Sequence, residues 1–457
     1  MKKEKQTDPY RLRPMQVVGW SGRAVSLASN VIILMQITYY CTNILGLSAV
    51  LAGTLMMASK IFDGITDLLA GVLIDKTHTR FGKARPYEFA IIGVWIFTVL
   101  LFSCPDFGTV GKAAWVFIMY SIINAIFTTL LNASETVYLI RAFKYDDDRN
   151  KLISINGLVV TIACTIISMI IPQLIGTLGV TKTGWTQIAL YMAIPLLILG
   201  ILRFVFVKEV NVVSTKAAED LKIKDFLETF KDKYIWILCL ITILVNLIIN
   251  INSAVGTYFF TYIVGDIKKM TLVGMFGLVG PLALLVMPTI LKRISVTNVF
   301  VGSFILGVIG NVIKGFAGAN MTFIMAGSLL QTLAGLAPSY FTLLLVVYLI
   351  DYHEYQTGKR VEGAISAINS FSGKIAGGLA AGGVGFIMGI FGFDGTAATQ
   401  SASALTSISA LYCWIPAAIY LILIFLMKVF DIEKKMPEIK TELEKRRAIG
   451  EKDEVLL

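Results

Sequence analysis

Stretches of roughly 20 or more mostly apolar residues recur along the whole of this 457-residue sequence. About 20 such residues are needed for a helix to cross the hydrocarbon core of a bilayer, so runs of this length are typical of membrane-spanning helices. Charged residues make up only 15% of the chain, whereas a soluble domain carries about 25%. The pattern predicts an all-α polytopic membrane protein.

Polar segments between the apolar runs divide the chain into about twelve predicted transmembrane helices. The predicted spans are 15–44, 47–74, 87–104, 111–140, 152–178, 184–207, 235–264, 271–291, 296–317, 320–350, 362–391 and 402–428. We expect an N-terminal six-helix half (1–207), a cytoplasmic middle linker (208–234), a C-terminal six-helix half (235–428) and a cytoplasmic tail (429–457). Two six-helix halves suit a transporter that works by alternating access, an interpretation that rests on architecture alone.

The net charge of +10 is concentrated in alternate loops, while loops such as "NILGLS" and "FAGANM" carry no charge. Lysine and arginine cluster around residues 76–85, 141–151, 292–293 and 359–360. Because positive residues favour the cytoplasmic side, this alternation predicts that both termini are cytoplasmic. The basic excess therefore reflects membrane topology, and we expect the lipid bilayer as a partner and no nucleic acid.

Enzyme chemistry has no visible basis in the sequence. It contains no nucleophile–base pair, no phosphate-cradling glycine loop and no His/Cys metal cluster, so we expect neither catalysis nor a cofactor. The five cysteines lack metal-ligand spacing and are interpreted as small core residues. The N-terminus is too polar for a cleaved signal peptide, which leaves membrane targeting to the first helix.

Ionisable residues inside the predicted spans are the main indication of function. They are Arg23, Lys60, Asp63, Asp67, Glu135 and Lys374. An ionised side chain at the bilayer centre costs at least about 2.5–3.5 kcal/mol, so such residues face the bundle interior and mark ion or substrate paths.

Asp63 and Asp67 stand four residues apart and share one face of the second predicted helix. Two close carboxylates repel each other and attract a cation, to which the Thr66 hydroxyl could add a ligand. Oxygen ligands suit sodium, lithium or a proton-carrying water. The alternative is a static ion pair between Lys60 and Asp63, but one lysine leaves the helix with net negative charge, which favours a mobile cation.

Several ordered stretches resemble the glycoside–pentoside–hexuronide:cation symporters, the melibiose permease-like branch of the major facilitator superfamily. They are "KIFDGITD", "DKTHTRFGKARP", "YFFTYIVGD" and "IDYHEYQTGKRVEGAISAINSFSGK". The resemblance implies the major facilitator fold and symport of a small sugar, glycoside or hexuronide with Na⁺, Li⁺ or H⁺. It also implies a multi-pass protein of a bacterial plasma membrane, and we expect it to work as a monomer.

The resemblance assigns Asp63 and Asp67 to the cation site and adds Thr129, which aligns with a cation-site threonine of the family. Lys374 aligns with a family lysine, and its flexible stem could bring an ammonium to the helix-two carboxylates when the cation is absent. We assign Lys374 and Lys60 to coupling. The alternative for Lys374 is a lysine that extends to the headgroups.

Charged residues after the second predicted helix form a candidate conformational gate: Asp75, Arg80, Lys83 and Arg85. They can pair with one another and with helix C-termini, which would hold an outward-facing state. A role in topology alone is the simpler interpretation, and the two roles are compatible.

The substrate residues depart from the melibiose branch, which has an aspartate where Asn132 stands and an arginine where Gly157 stands. An α-galactoside is therefore not expected. Asn30 and Asn132 could bond sugar hydroxyls, and Glu135 could supply the missing carboxylate. Arg23 could receive a hexuronide carboxylate, or it could extend to the headgroups, in which case a neutral pentoside or glucoside is expected.

Two other functions compete with symport. A non-transporting membrane sensor on the same fold would not need the acidic pair and Lys374. A drug–proton antiporter would favour a less polar cavity than the asparagines suggest.

Overall fold

The computed structural model describes residues 11–77, 79–210, 232–283, 293–358, 362–397 and 399–455. Most of the predicted linker and the end of the eighth predicted helix lie outside these residues. So do the side chains of Asp67 and Asp75, although both residues belong to a described helix.

The described chain is almost entirely helical. Its helices are α1 (Pro14–Ile44), α2 (Ala49–Lys76), α3 (Ala90–Leu101), α4 (Thr109–Ala142), α5 (Asp146–Leu178), α6 (Lys182–Phe206), α7 (Lys233–Tyr262), α8 (from Met270), α9 (Val296–Ala317), α10 (Met321–Thr357), α11 (Glu362–Ile390), α12 (Ala402–Val429) and α13 (Ile432–Val455).

Nine helices in the described part of the chain are long and apolar enough to cross a membrane. The described residues of three other predicted spans do not meet this criterion: several side chains of α2 lie outside the described part, α3 has only 12 residues, and α8 is described only to residue 283. The all-helical polytopic fold is confirmed, and the number of twelve helices stays a prediction.

In the described part of the chain, three of the nine apolar helices contain π-turns. Helix α1 is interrupted at Met35 and Gln36 and ends in a π-helix, Tyr40–Ile44. Helices α4 and α12 contain π-helices at Ile122–Thr128 and Ala410–Trp414. A π-turn rotates the side chains that follow it and frees backbone carbonyls, which is why such turns are frequent at functional sites.

The chain forms two compact units. The first comprises Met1–Ser214, Ser253–Pro281 and Gly378–Ile408, and aromatic side chains including Trp95, Trp185 and Phe102 are buried in it. Its backbones approach closely where α2 meets α11, since a Cβ on Gly53 would lie 3.0 Å from the Cα of Gly385.

The second unit comprises Thr215–Asn252, Leu282–Gly377 and Ser409–Leu457. Its core is built from α7, α9, α10 and α12, with Phe300, Phe304 and Leu423 fully buried. The compact units therefore do not coincide with the halves of the sequence, and the predicted domain boundaries stay predictions.

Candidate functional site

Asp63 lies buried on α2 between two polar partners. Its Oδ1 accepts a 3.0 Å hydrogen bond from the Thr129 hydroxyl of α4, and its Oδ2 lies 3.7 Å from the Lys60 ammonium. The Lys60–Asp63 ion pair that the sequence allowed is thus present. Lys60 also lies 3.4 Å from the Asn124 side-chain oxygen, so its charge is shared between two acceptors.

The π-helix of α4 helps to form this site. Asn124 lies within the Ile122–Thr128 turn, and Thr129 follows directly after it. Carboxylate, hydroxyl and amide oxygens from two helices therefore lie around the Lys60–Asp63 pair. A hard cation such as sodium prefers oxygen ligands of this kind.

The other predicted cation-site residues are placed less directly. The Thr66 hydroxyl donates a 3.0 Å hydrogen bond to the backbone oxygen of Asp63, which lies on the same helix. The Asp67 side chain lies outside the described residues. Lys374 is half-buried on α11. A joint site of Asp63 and Asp67, and coupling through Lys374, stay predictions.

Four charged residues form a buried cluster in the first unit, which we call the charged cluster: Arg23 of α1, Glu88 just before α3, Glu135 of α4 and Arg203 of α6.

Arg203 binds Glu135 in a bidentate manner at 2.6 and 2.9 Å, and its guanidinium stacks 3.6 Å from the Trp20 ring centroid. Arg23 lies 3.3 Å from Glu88 and 2.5 Å from Glu135. The two positive and two negative charges cancel, which offsets the cost of burying them.

The charged cluster changes the interpretation of two predicted substrate residues. The Arg23 side chain is 3% exposed, so it does not reach the headgroups. Its donors are engaged by Glu88, Glu135 and the Leu131 carbonyl oxygen. Glu135, at 34% exposure, is the only member of the cluster with an accessible side chain.

Glu88 and Arg203 were missed as functional candidates. Both lie inside predicted spans but near their ends, where a charged residue is easily interpreted as interfacial. Their positions at helix ends gave no indication that the two side chains would form an ion pair.

The predicted substrate amides differ in availability. Asn30 is 1% exposed, and its Nδ2 donates a 2.7 Å bond to the Thr98 hydroxyl. Asn132 is exposed on α4. Of the two, only Asn132 is accessible to a ligand.

Three of the candidate gate residues, Arg80, Lys83 and Arg85, lie in the segment after α2 that is held by Glu209, whereas Asp75 lies at the end of α2. The Glu209 carboxylate accepts hydrogen bonds of 2.7–3.0 Å from the backbone N–H groups of Lys83, Ala84 and Arg85. Gly82 has a φ of +118°, and a Cβ there would collide with this carboxylate.

The gate side chains make contacts of two kinds. The Arg85 guanidinium donates to the Phe204 carbonyl oxygen at the end of α6, which is a predicted contact with a helix C-terminus. Arg80 is exposed and stacks on Phe81. Glu209 was not predicted, since a lone acidic residue after a span carries no distinctive signal.

The interrupted end of α1 is joined to α7 within the first unit. The Thr42 hydroxyl lies 2.8 Å from the Tyr258 hydroxyl. Asn43 donates to Tyr262, and Thr257 donates to Gln36.

A cavity of about 270 Å³ lies beside these contacts. Its polar lining comes from Gln36, Ser168, Ser253 and Thr257.

The loop between α11 and α12 is held by local hydrogen bonds. The Thr396 hydroxyl and backbone N–H donate to Asp394, which lowers the pKa of that carboxyl.

A bundle of membrane helices with a buried carboxylate site and a partly polar cavity is typical of a secondary transporter. The chain belongs to the MFS/sugar transport protein family, whose model matches residues 20–434. The interpretation as a cation-coupled sugar symporter, and not an enzyme, is thereby confirmed.

Curated relatives match over nearly the whole chain. An isoprimeverose transporter of Lactiplantibacillus pentosus is 29% identical, over 97% of this chain and 95% of the relative. A putative glycoside/cation symporter, YagG of Escherichia coli (strain K12), is 26% identical over 90% of each chain.

Solved transporters share the fold. A D-xylose-proton symporter superposes with a TM-score of 0.63 at 18% identity, covering 90% of this chain and 96% of its own. A bacterial homolog of the lysosomal transporter Spinster gives 0.68 at 12% identity, covering 94% and 98%.

Proposed function

We propose that this protein couples the entry of a cation to the uptake of a small neutral glycoside or pentoside. It acts as a monomer in the plasma membrane of a bacterium, with both termini in the cytoplasm. The observation that carries the proposal is the Asp63 carboxylate, buried between the Thr129 hydroxyl at 3.0 Å and the Lys60 ammonium at 3.7 Å. Sodium is the first choice of cation, with Li⁺ and H⁺ as alternatives.

The Lys60–Asp63 contact suggests how coupling works. At 3.7 Å the pair is long for a charge-assisted hydrogen bond, which is typically about 2.7–2.9 Å. A cation that binds between Asp63 and Thr129 would displace the lysine and take over its charge role. Asp67 and Lys374 would complete the exchange from α2 and α11.

A neutral substrate is favoured by the charged cluster. Arg23 is the residue that a uronate carboxylate would need, and its guanidinium is already neutralised by Glu88 and Glu135. A relative named as an isoprimeverose transporter supports a neutral disaccharide. The competing hypothesis is an acidic substrate. It is supported by relatives named as a glucuronide carrier protein homolog and a putative sulfoquinovose importer.

Uptake by whole cells tests this proposal. Radiolabelled isoprimeverose, methyl β-D-xyloside, methyl β-D-glucoside and methyl β-D-glucuronide are compared in sodium, lithium and choline media, with and without a protonophore. We expect concentrative uptake of a neutral compound that stops when its cation gradient is removed. Uptake that only equilibrates would contradict coupling, and no uptake of any compound would favour a sensor.

Two variants sharpen this experiment. Asp63→Cys should abolish accumulation while leaving the protein inserted. Arg23→Gln should reduce uptake of every transported compound to a similar extent, because its role is structural. Selective loss of glucuronide uptake would instead assign Arg23 to an acidic substrate.

A further inference from the structure

A stripe of polar side chains runs along one face of α7. Thr242, Asn246, Asn250, Ser253 and Thr257 recur every three or four residues, which places them on one side of a helix. At 1.5 Å per residue the stripe is about 22 Å long, most of the thickness of the hydrocarbon core. Polar residues in a membrane helix face the protein interior or a water-filled path, so this face is directed away from lipid.

The two asparagines in the stripe keep one half of each carboxamide available. Asn246 donates its Nδ2 to the Thr242 carbonyl oxygen at 2.9 Å, and Asn250 donates to the Asn246 carbonyl oxygen at 2.8 Å. These bonds fix both side chains against their own helix. In the described part of the chain, neither carboxamide oxygen accepts a hydrogen bond.

Glycines of α11 lie opposite these carboxamides within the second unit. A Cβ on Gly373 would lie 3.7–4.0 Å from the Asn246 carboxamide, and one on Gly377 would lie 3.9 Å from the Asn250 Oδ1. These are ordinary van der Waals distances. By contrast, a Cβ on Gly385 further along α11 would collide with the Ala49 carbonyl oxygen. Close packing thus requires glycine at 385 but not at 373 or 377, where its effect is to leave the amides uncovered.

We infer that Asn246 and Asn250 bind hydroxyl groups of the transported sugar. A fixed carboxamide oxygen accepts an O–H, and a neutral polyhydroxylated molecule offers several. The inference rests on the proposed function and extends the substrate residues to the second half of the sequence.

Transport kinetics of asparagine variants test the inference. In Asn246→Ala and Asn250→Ala, the KM for the best neutral compound among isoprimeverose, methyl β-D-xyloside and methyl β-D-glucoside should rise about tenfold or more. The cation concentration for half-maximal uptake should stay within twofold. Asn252→Ala is the matched control, since Asn252 lies on the same helix off the stripe and donates to the Ile248 carbonyl oxygen at 2.9 Å.

Gly377→Ala is a second variant. The packing at this position tolerates the added methyl group, which would lie beside the Asn250 carboxamide oxygen. It should also raise KM with normal membrane insertion. Unchanged KM in the two asparagine variants, or an equal rise in Asn252→Ala, would overturn the inference while the symport proposal stands. Absence of uptake by the wild type would overturn the proposed function and this inference with it.

Discussion

The hydroxyl of Thr129 donates a 3.0 Å hydrogen bond to Oδ1 of Asp63, across 66 residues of sequence. This bond joins α2 to the residue directly after the π-turn of α4. A threonine assigned by resemblance and an aspartate assigned by its position inside a predicted membrane helix are therefore joined by a direct hydrogen bond.

Removing the Thr129 hydroxyl should weaken cation binding. In Thr129→Val, the sodium concentration for half-maximal uptake should rise about tenfold or more, because a hydrogen bond to a charged group contributes about 1.5–3 kcal/mol. Initial uptake rates across a sodium titration measure this value. Thr129→Ser keeps the hydroxyl and should behave like the wild type; equal sodium dependence in wild type and Thr129→Val would reject the site.

The charged cluster should be needed for stability. Arg203→Ala leaves Glu88 and Glu135 without their shared guanidinium, and breaking such a buried pair costs about 3–5 kcal/mol. Thermal unfolding of the purified protein in detergent should therefore show a clearly lower midpoint. The exposed Lys440→Ala is the control and should unfold like the wild type. An unchanged midpoint in Arg203→Ala would mean that the cluster does not support the fold.

The Glu209 carboxylate should hold the 79–85 loop in place. Glu209→Gln replaces one acceptor oxygen by an NH₂ group that faces backbone N–H groups, so the loop should be released more often. Trypsin cleavage after Arg80 or Lys83 should become several-fold faster. The exposed Glu438→Gln serves as control, and an identical cleavage rate in Glu209→Gln would count against this role.

The hydroxyl contacts between α1 and α7 should limit access to the adjacent cavity. Thr42→Val combined with Tyr262→Phe removes hydroxyls that bridge the two helices. Each neutral hydrogen bond contributes about 0.5–1.5 kcal/mol. A reporter cysteine at Ser253, which lines the cavity, should then react several-fold faster with a membrane-impermeant maleimide in a background without native cysteines.

Thr177→Val is the control for that measurement, because the Thr177 hydroxyl bonds only to carbonyl oxygens of its own helix. If the reporter reacts equally in all these proteins, the contacts do not limit access to the cavity.

Helix positions follow from the sequence where local signals coincide with hydropathy. The predicted span 296–317 matches α9, because Ser295 caps its first turn and Gly318, with a φ of +54°, follows its last residue. The span 320–350 falls short of α10, which continues to Thr357. The charged residues that follow residue 350 end the apolar run, but the helix continues through them.

Tertiary partners were harder to predict. The acidic face of α2 is visible as a four-residue spacing, but the bidentate Arg203–Glu135 contact joins residues 68 apart in sequence. The interruption of α1 at Met35 and Gln36 lies within one continuous apolar run, so hydropathy gives no indication of it. Such features depend on packing between helices, which periodicity along a single helix does not describe.

The bond between Asn43 and Tyr262 spans 219 residues, and this distance has a consequence for biogenesis. At about 5–20 residues per second, the ribosome needs roughly 10–45 s to make the intervening chain. During that interval the polar end of α1 is already in the membrane without its α7 partners. The nascent N-terminal half therefore needs water or an insertion chaperone at this end of the bundle until the later helices arrive.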